Sequence, residues 1–179
     1  MERMFQRNKY ALLKDLLNVA ACVFCAVMLP QVFHAVGVLI GAGEMLGQIF
    51  LPMYLPVLVL ALKSNAVSGL VAGILSPLVS FALTGMPGSA VLPFIVIELA
   101  CFGLLSGLLS KKEMNLFAKI VLVQLFSRIV RLVAVLVAVY GLEMPNAMLT
   151  ALWSATVLAI PGYALQLVGA PWLLKRVLR

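Results

Sequence analysis

Apolar residues occur in long runs that are separated by short polar or glycine- and proline-rich breaks. About 20 apolar residues cross the hydrocarbon core of a bilayer as a helix. The expected spans are residues 16–32, 49–62, 66–83, 91–110, 116–140 and 146–174. The second run is short and carries Pro52 and Pro56, so we expect it to be broken or to borrow from the segment before it. The pattern predicts an all-α integral membrane protein, a bundle of six transmembrane helices in one domain.

Composition and charge agree with this pattern, and the charge also predicts how the chain is oriented in the membrane. The chain is 64% hydrophobic and 11% charged, whereas soluble domains are about 45–50% apolar. Basic residues stand before the first span, in the second and fourth breaks, and after the last span: Arg3, Arg7, Lys9, Lys14, Lys63, Lys111, Lys112, Lys175, Arg176 and Arg179. The positive-inside rule therefore predicts that both termini are cytoplasmic. The net charge of +7 then indicates topology and contact with anionic lipid, and no nucleic-acid partner is expected.

Two arginines lie near the middle of the fifth run, where each costs about 2.5–3.5 kcal/mol to insert. Gln124, Arg128 and Arg131 are spaced i, i+4, i+7 and so share one helix face. Glu98 in the fourth run lies at a depth that favours a Glu98–Arg131 ion pair. Two interpretations stay open here. The pair is structural and fixes two spans together, or the surplus arginine belongs to a pocket for an anionic or carbonyl-rich ligand.

Other polar and aromatic residues are candidates for the same pocket. His34 and Glu44 flank a glycine-rich segment, residues 33–48, which we expect to be external; each is either an interfacial residue or a ligand contact. Trp153 is either a membrane-interface anchor or a pocket residue. Tyr163 and Gln166 follow the break at Pro161-Gly162, where freed backbone groups need partners, and are expected to line a pocket.

Small residues form a stripe in the first span: Ala20, Ala21, Cys22, Cys25 and Ala26. Such stripes allow helices to approach closely, so we interpret the C-x-x-C spacing as packing and not as redox chemistry. The chain has no Ser–His–Asp set, no HExxH and no phosphate-binding GxxxxGK[ST] loop. One histidine and scattered carboxylates do not make a metal cluster. We therefore expect no enzyme activity, no bound cofactor and no protein-held metal.

The order of several short blocks along the chain resembles one family over nearly the full length. The blocks are PQVFH at residues 30–34, FLPMYLPVL at 50–58, GLVAGILSPL at 69–78, LTGMP at 83–87 and IELA at 97–100, followed by Lys111-Lys112. In this order they resemble the substrate-binding S component of an energy-coupling factor (ECF) transporter. The resemblance implies a bacterial plasma-membrane protein that binds a vitamin or similar micronutrient near its outer face.

The resemblance also implies partners and a site. The partners are a transmembrane coupling protein, which docks on the small-residue stripe, and two cytoplasmic ATPases. The implied pocket combines residues 33–48, 84–90 (with Met86) and 142–146 with Glu98, Arg131 and Trp153 nearby. The ligand stays open among cobalamin or haem, pantothenate, folate-like and riboflavin-like molecules. The alternatives in other classes are a structural or regulatory membrane subunit and, with less support, a small membrane enzyme.

Overall fold

The computed structural model describes residues 2–43 and 45–177, and every regular element in that part of the chain is a helix. The helices are α1 (Glu2–Leu39), α2 (Met45–Phe50), α3 (Tyr54–Lys63), α4 (Ala66–Thr84), α5 (Leu92–Ser110), α6 (Leu116–Gly141), α7 (Ala147–Leu158) and α8 (Ile160–Val177). Five stretches are long and apolar enough to cross a membrane. They are the part of α1 from Leu12 onward, the combined α2–α3 segment (Met45–Lys63), and the single helices α4, α5 and α6. The bent pair α7 and α8 makes a sixth. The prediction of an all-α membrane bundle is confirmed to this extent.

The first helix is longer than its expected span. It continues through Pro30 to Leu39, so residues 33–39 belong to a helix and the connection to α2 begins at Ile40. These residues are apolar apart from His34, and hydropathy does not separate an apolar loop from an apolar helix. Glu44, a candidate ligand contact, and Arg179, used in the charge argument, lie outside the described residues.

The second span is broken, as its prolines predict. Helix α2 ends at Phe50 and α3 begins at Tyr54. Between them Leu51 adopts φ 47°, a left-handed conformation that costs a residue with a side chain about 1–3 kcal/mol. The last span is bent by 46° between α7 and α8, just before Pro161. Proline is tolerated there because the first turn of a helix has no internal partner for its backbone N–H groups.

Glycine allows α4 and α5 to pack backbone against backbone. Gly69 faces the carbonyl group of Gly103, and Gly73 faces that of Leu99, so that a Cβ at either glycine would overlap the opposite backbone. Further along, Gly107 meets Ala66 in the same way. The small-xxx-small spacing of Gly69 and Gly73 thus serves a close helix contact, as such spacings do in membranes.

Helix α3 occupies the centre of the bundle. Its residues Val57 and Leu58 are fully buried, and it contacts α1, α4, α5 and α8. The hydrophobic cluster around it unites Val19 on α1, Phe102 on α5 and Ile120 on α6. This cluster is the main hydrophobic core of the bundle.

The two ends of the bundle differ. At one end Asp15 accepts hydrogen bonds from Ser64 (3.4 Å) and Asn65 (3.1 Å), and Lys119 donates to the carbonyl oxygen of Ser110 (3.1 Å). Helix α8 runs alongside α2 and α3 toward this end, because Gly162 meets Ile49 and Phe50 while Gly169 lies against Leu55. The first and last helices therefore have their free ends on this side, which we call the basic end. The other end, formed by the α1–α2, α4–α5 and α6–α7 connections, holds the cavity.

Candidate functional site

A cavity of about 800 Å³ lies at the end of the bundle opposite the basic end. Its wall comes from the second half of α1, from α2, the start of α3, Ser80 near the end of α4, the first turn of α5, the middle of α6, and α7. Residues 86–88 close one side. Most of these side chains are apolar, for example Phe94, Ile95, Met148 and Leu152. Ligand cavities of proteins have volumes of about 300–1,000 Å³ and similar apolar walls.

One carboxylate and two guanidinium groups form the base of this cavity. Glu98 on α5 is completely buried, and both of its oxygens are paired: Oε1 with Arg128 Nη1, and Oε2 with Arg131 Nη1 at 3.0 Å. The expected Glu98–Arg131 pair is therefore present. The sequence did not assign Arg128 to the same carboxylate. This second cationic partner for one acid leaves a net charge of +1 in the cluster.

Arg128 is held in place by aromatic rings as well as by Glu98. Its guanidinium carbon lies 5.2 Å from the ring centre of Tyr54 and 4.9 Å from that of Tyr163. Both distances are within the range in which a cation is attracted to the face of an aromatic ring. Tyr54 in turn packs edge-on against Phe102, with ring centres 5.3 Å apart. Helices α3, α5, α6 and α8 thus all contribute to the orientation of one cation.

A second polar contact fixes α6 to α8 beneath the cavity. Gln124 Nε2 donates to Gln166 Oε1 at 3.0 Å and to the backbone oxygen of Tyr163 at 3.4 Å. Gln166 is 1% exposed. This pair joins α6 to the first two turns of α8 after Pro161.

The structure separates the candidate residues into three groups. His34, Met86, Arg128 and Arg131 line the cavity. Four further candidates are not in the wall but lie behind it: Glu98, Gln124, Tyr163 and Gln166. Glu98 and Tyr163 contact the arginines, and Gln124 contacts Gln166. Trp153 is 72% exposed and is not among the residues that line the cavity. Glu44 belongs to none of these groups because it lies outside the described residues.

The small-residue stripe of α1 is divided between two faces. Cys22 and Ala26 are buried in the core against α3 and α4. Ala20, Ala21 and Cys25 face outward and are exposed. The two i, i+4 pairs in the stripe therefore differ: Cys22 with Ala26 packs inside the chain, and Ala21 with Cys25 is available to another protein or to lipid.

Among the residues of the cavity wall that sequence reasoning did not single out are Tyr54 and Gln31. Gln31 precedes His34 by three residues, so both lie on one face of α1, and this spacing was visible in the sequence. Tyr54 lies between Pro52 and Pro56, where the broken span was already expected. A polar side chain beside a break in a membrane helix is a signal for a cavity, since such breaks are tolerated where they line one.

No protein-family model, no curated protein and no solved structure matches this chain. The site is therefore interpreted from its own groups. A desolvated wall with two oriented guanidinium groups can bind an anion or a carbonyl group, and it can hold a ligand of vitamin size.

Proposed function

We propose that this chain is the substrate-binding S component of an ECF-type importer in the plasma membrane of a bacterium. It would capture a vitamin or related micronutrient at the outer face and deliver it through an ATP-driven coupling module. The proposal joins the order of sequence blocks, which resembles that family, to the cavity at one end of the helix bundle.

The cavity is the observation that carries this proposal. An intramembrane ion pair that served only to join two helices would need no open space beside its groups. Here Arg128 and Arg131 instead form part of the wall of an 800 Å³ space. A wall that combines apolar side chains with a few fixed polar groups is typical of small-molecule sites.

The charge distribution supports an outward-facing cavity. Lys63, Lys111, Lys112 and Lys175 all belong to elements that meet at the basic end, opposite the cavity. The positive-inside rule assigns that end, and with it both termini, to the cytoplasm. A ligand would then enter from the external side.

Labelling with a membrane-impermeant maleimide tests this orientation. In a cysteine-free background, Ser89→Cys at the cavity end should react in intact cells, whereas Lys112→Cys at the basic end should react only after lysis. Both side chains are exposed, so each provides the accessibility control for the other. Reaction of Lys112→Cys in intact cells would reverse the orientation and contradict the proposal.

The exposed part of the α1 stripe supports a docking surface for the coupling protein. Ala20, Ala21 and Cys25 leave a shallow face on which a partner helix can approach closely. Two ATPases must come from other chains, because this sequence has no phosphate-binding loop of its own.

Affinity purification from the native membrane tests the assembly. The tagged chain should bring down one membrane coupling protein and two ATPases, and Ala21→Trp should remove them by blocking close approach. Val133→Trp, the same change on an exposed position of α6, is the matched control and should leave the complex intact. Recovery of the folded chain without ATPases, or equal effects of the two substitutions, would contradict the proposal.

A further inference from the structure

The charge of the cavity wall can be counted from its described residues. Arg128 and Arg131 are the charged side chains in that wall, and no Asp or Glu occurs among the described residues that line it. Glu98 lies behind the arginines and is 0% exposed. Two positive groups and one shielded negative group give the described residues of the site a net charge of +1.

Part of each guanidinium group remains available to a ligand. Glu98 is bound through Nη1 of each arginine, while the side chains stay 16% exposed at Arg128 and 12% exposed at Arg131. Arg131 Nε has no hydrogen-bond partner among the described residues. Arg131 also lies about 4.5 Å further along α6 toward the cavity end than Arg128, at 1.5 Å per residue. Arg131 is therefore the nearer of the two to the cavity end, and Arg128 is the more exposed.

A second polar cluster lies across the cavity on α1. Gln31 Nε2 and His34 Nδ1 both lack hydrogen-bond partners within the described part of the chain. Helix α2 keeps the His34 ring in position, because a Cβ at Gly47 would lie only 2.9 Å from its Cε1 atom. Among the described residues no Cα atom of α1 lies within 8 Å of one of α6, and this cluster and the arginines both line the cavity. The wall between them is mainly apolar.

We infer that the ligand is a small amphipathic monoanion: one carboxylate bound at Arg131 and Arg128, an apolar body, and a second polar group that accepts a hydrogen bond from Gln31 at the far wall. This inference rests on the proposed function, since it takes the cavity as the binding site. One negative charge neutralises the site. A cation would be repelled, and a dianion such as a phosphate monoester would leave an uncompensated charge in a desolvated space.

Matched pairs of an acid and its primary amide test the charge requirement. The probes are benzoate and benzamide, nicotinate and nicotinamide, lipoate and lipoamide, and biotin and biotinamide, each titrated up to millimolar concentration in thermal-unfolding measurements on the purified full chain. Hits are then measured by calorimetry. At least one acid should raise the unfolding temperature and bind about 10- to 100-fold more tightly than its amide, the effect expected of a charge-assisted hydrogen bond.

Two substitutions of Arg131 on α6 test whether this residue causes the preference for acid over amide. Arg131→Gln should remove most of the preference for acid over amide, and Arg131→Lys should retain part of it. Lys119→Gln is the matched control: it removes a buried positive charge from the same helix, about 18 Å from Arg131, where Gln can still donate to the Ser110 carbonyl oxygen. The control should keep the full preference.

The outcomes separate this inference from the proposed function. The inference that the ligand is a monoanion would be overturned by equal binding of acids and amides, by tighter binding of amides, or by the absence of stabilisation by any acid. An acid preference that survives in folded Arg131→Gln protein would also overturn it. None of these results affects the recovery of the coupling protein and ATPases, which tests the transporter itself.

Discussion

The α4–α5 contact and the contacts of α6 with α5 and α8 join membrane helices by different means. Between α4 and α5 the backbones meet at Gly69, Gly73 and Gly103. The buried hydroxyls of Ser76 and Ser106 donate to carbonyl oxygens of their own helices. Helix α6 instead reaches its neighbours through long polar side chains. Ion pairs connect it to Glu98, and an amide pair connects Gln124 to Gln166.

This difference indicates a division of tasks within one bundle. Close backbone packing leaves no space, so the α4–α5 side provides a rigid support. The long polar side chains of α6 instead reach α5 and α8 at and beneath the base of the cavity, whose wall includes Arg128 and Arg131. The polar side is then both the functional part and the part in which removal of a single group is most costly, because an unpaired charge in a desolvated site has no alternative partner.

The largest effect is expected for Glu98→Gln. This change leaves two buried guanidinium groups without a carboxylate and should reduce the free energy of unfolding by about 3–5 kcal/mol. Unfolding in detergent, followed by circular dichroism, measures it. Glu113→Gln, at an exposed carboxylate in the α5–α6 connection, is the control and should have little effect.

A combined replacement sharpens this result. Glu98→Leu with Arg128→Met and Arg131→Met removes every charge of the cluster and should recover most of the lost stability while abolishing selective binding of acids. If Glu98→Gln is as stable as Glu113→Gln, the ion cluster does not hold α5 to α6. The proposed difference between the polar contacts of α6 and the backbone packing of α4 with α5 would then be contradicted.

A smaller effect is expected on the packed side. Gly69→Ala introduces a methyl group where the Gly103 backbone leaves no room, so the two helices must separate, at a cost of about 1–3 kcal/mol. Gly88→Ala serves as the control, because nothing lies within 4 Å of the added Cβ at that position. Equal unfolding temperatures for the two variants would show that α4 and α5 are not closely packed.

The smallest of the three effects concerns the amide pair. Gln124→Leu should cost about 0.6–1.7 kcal/mol, the range of side-chain hydrogen bonds within membranes. A double-mutant cycle with Gln166→Leu isolates the coupling between the two residues. Additive effects of the single substitutions would mean that the contact does not connect α6 to α8.

Properties that depend on position along the chain could be predicted from the sequence. Hydropathy located the membrane helices, the prolines located the break before Tyr54, and counting residues placed Glu98 and Arg131 at matching depths. Each of these follows from helix length and rise per residue, which are nearly constant.

Properties that depend on the rotation of a helix about its axis could not be predicted. A membrane helix is apolar on the faces that meet lipid and on those that meet protein, so its pattern does not show which side points inward. Trp153 therefore stayed ambiguous until α7 was seen to expose it, and Arg128 was not assigned to Glu98. The division of the α1 stripe into buried Cys22 and exposed Ala21 has the same origin.

The short connection between α5 and α6, residues 111–115, has a consequence for the insertion of the protein into the membrane. Glu98 lies on one of these helices and both arginines on the next, so all three charges leave the ribosome within one helical hairpin. If the hairpin enters the bilayer as a unit, the carboxylate meets its cations before any of them faces lipid, and the separate insertion costs of about 2.5–3.5 kcal/mol per charge are not all incurred. Lengthening this connection with a flexible linker should then slow membrane integration of α6 while leaving the finished fold unchanged.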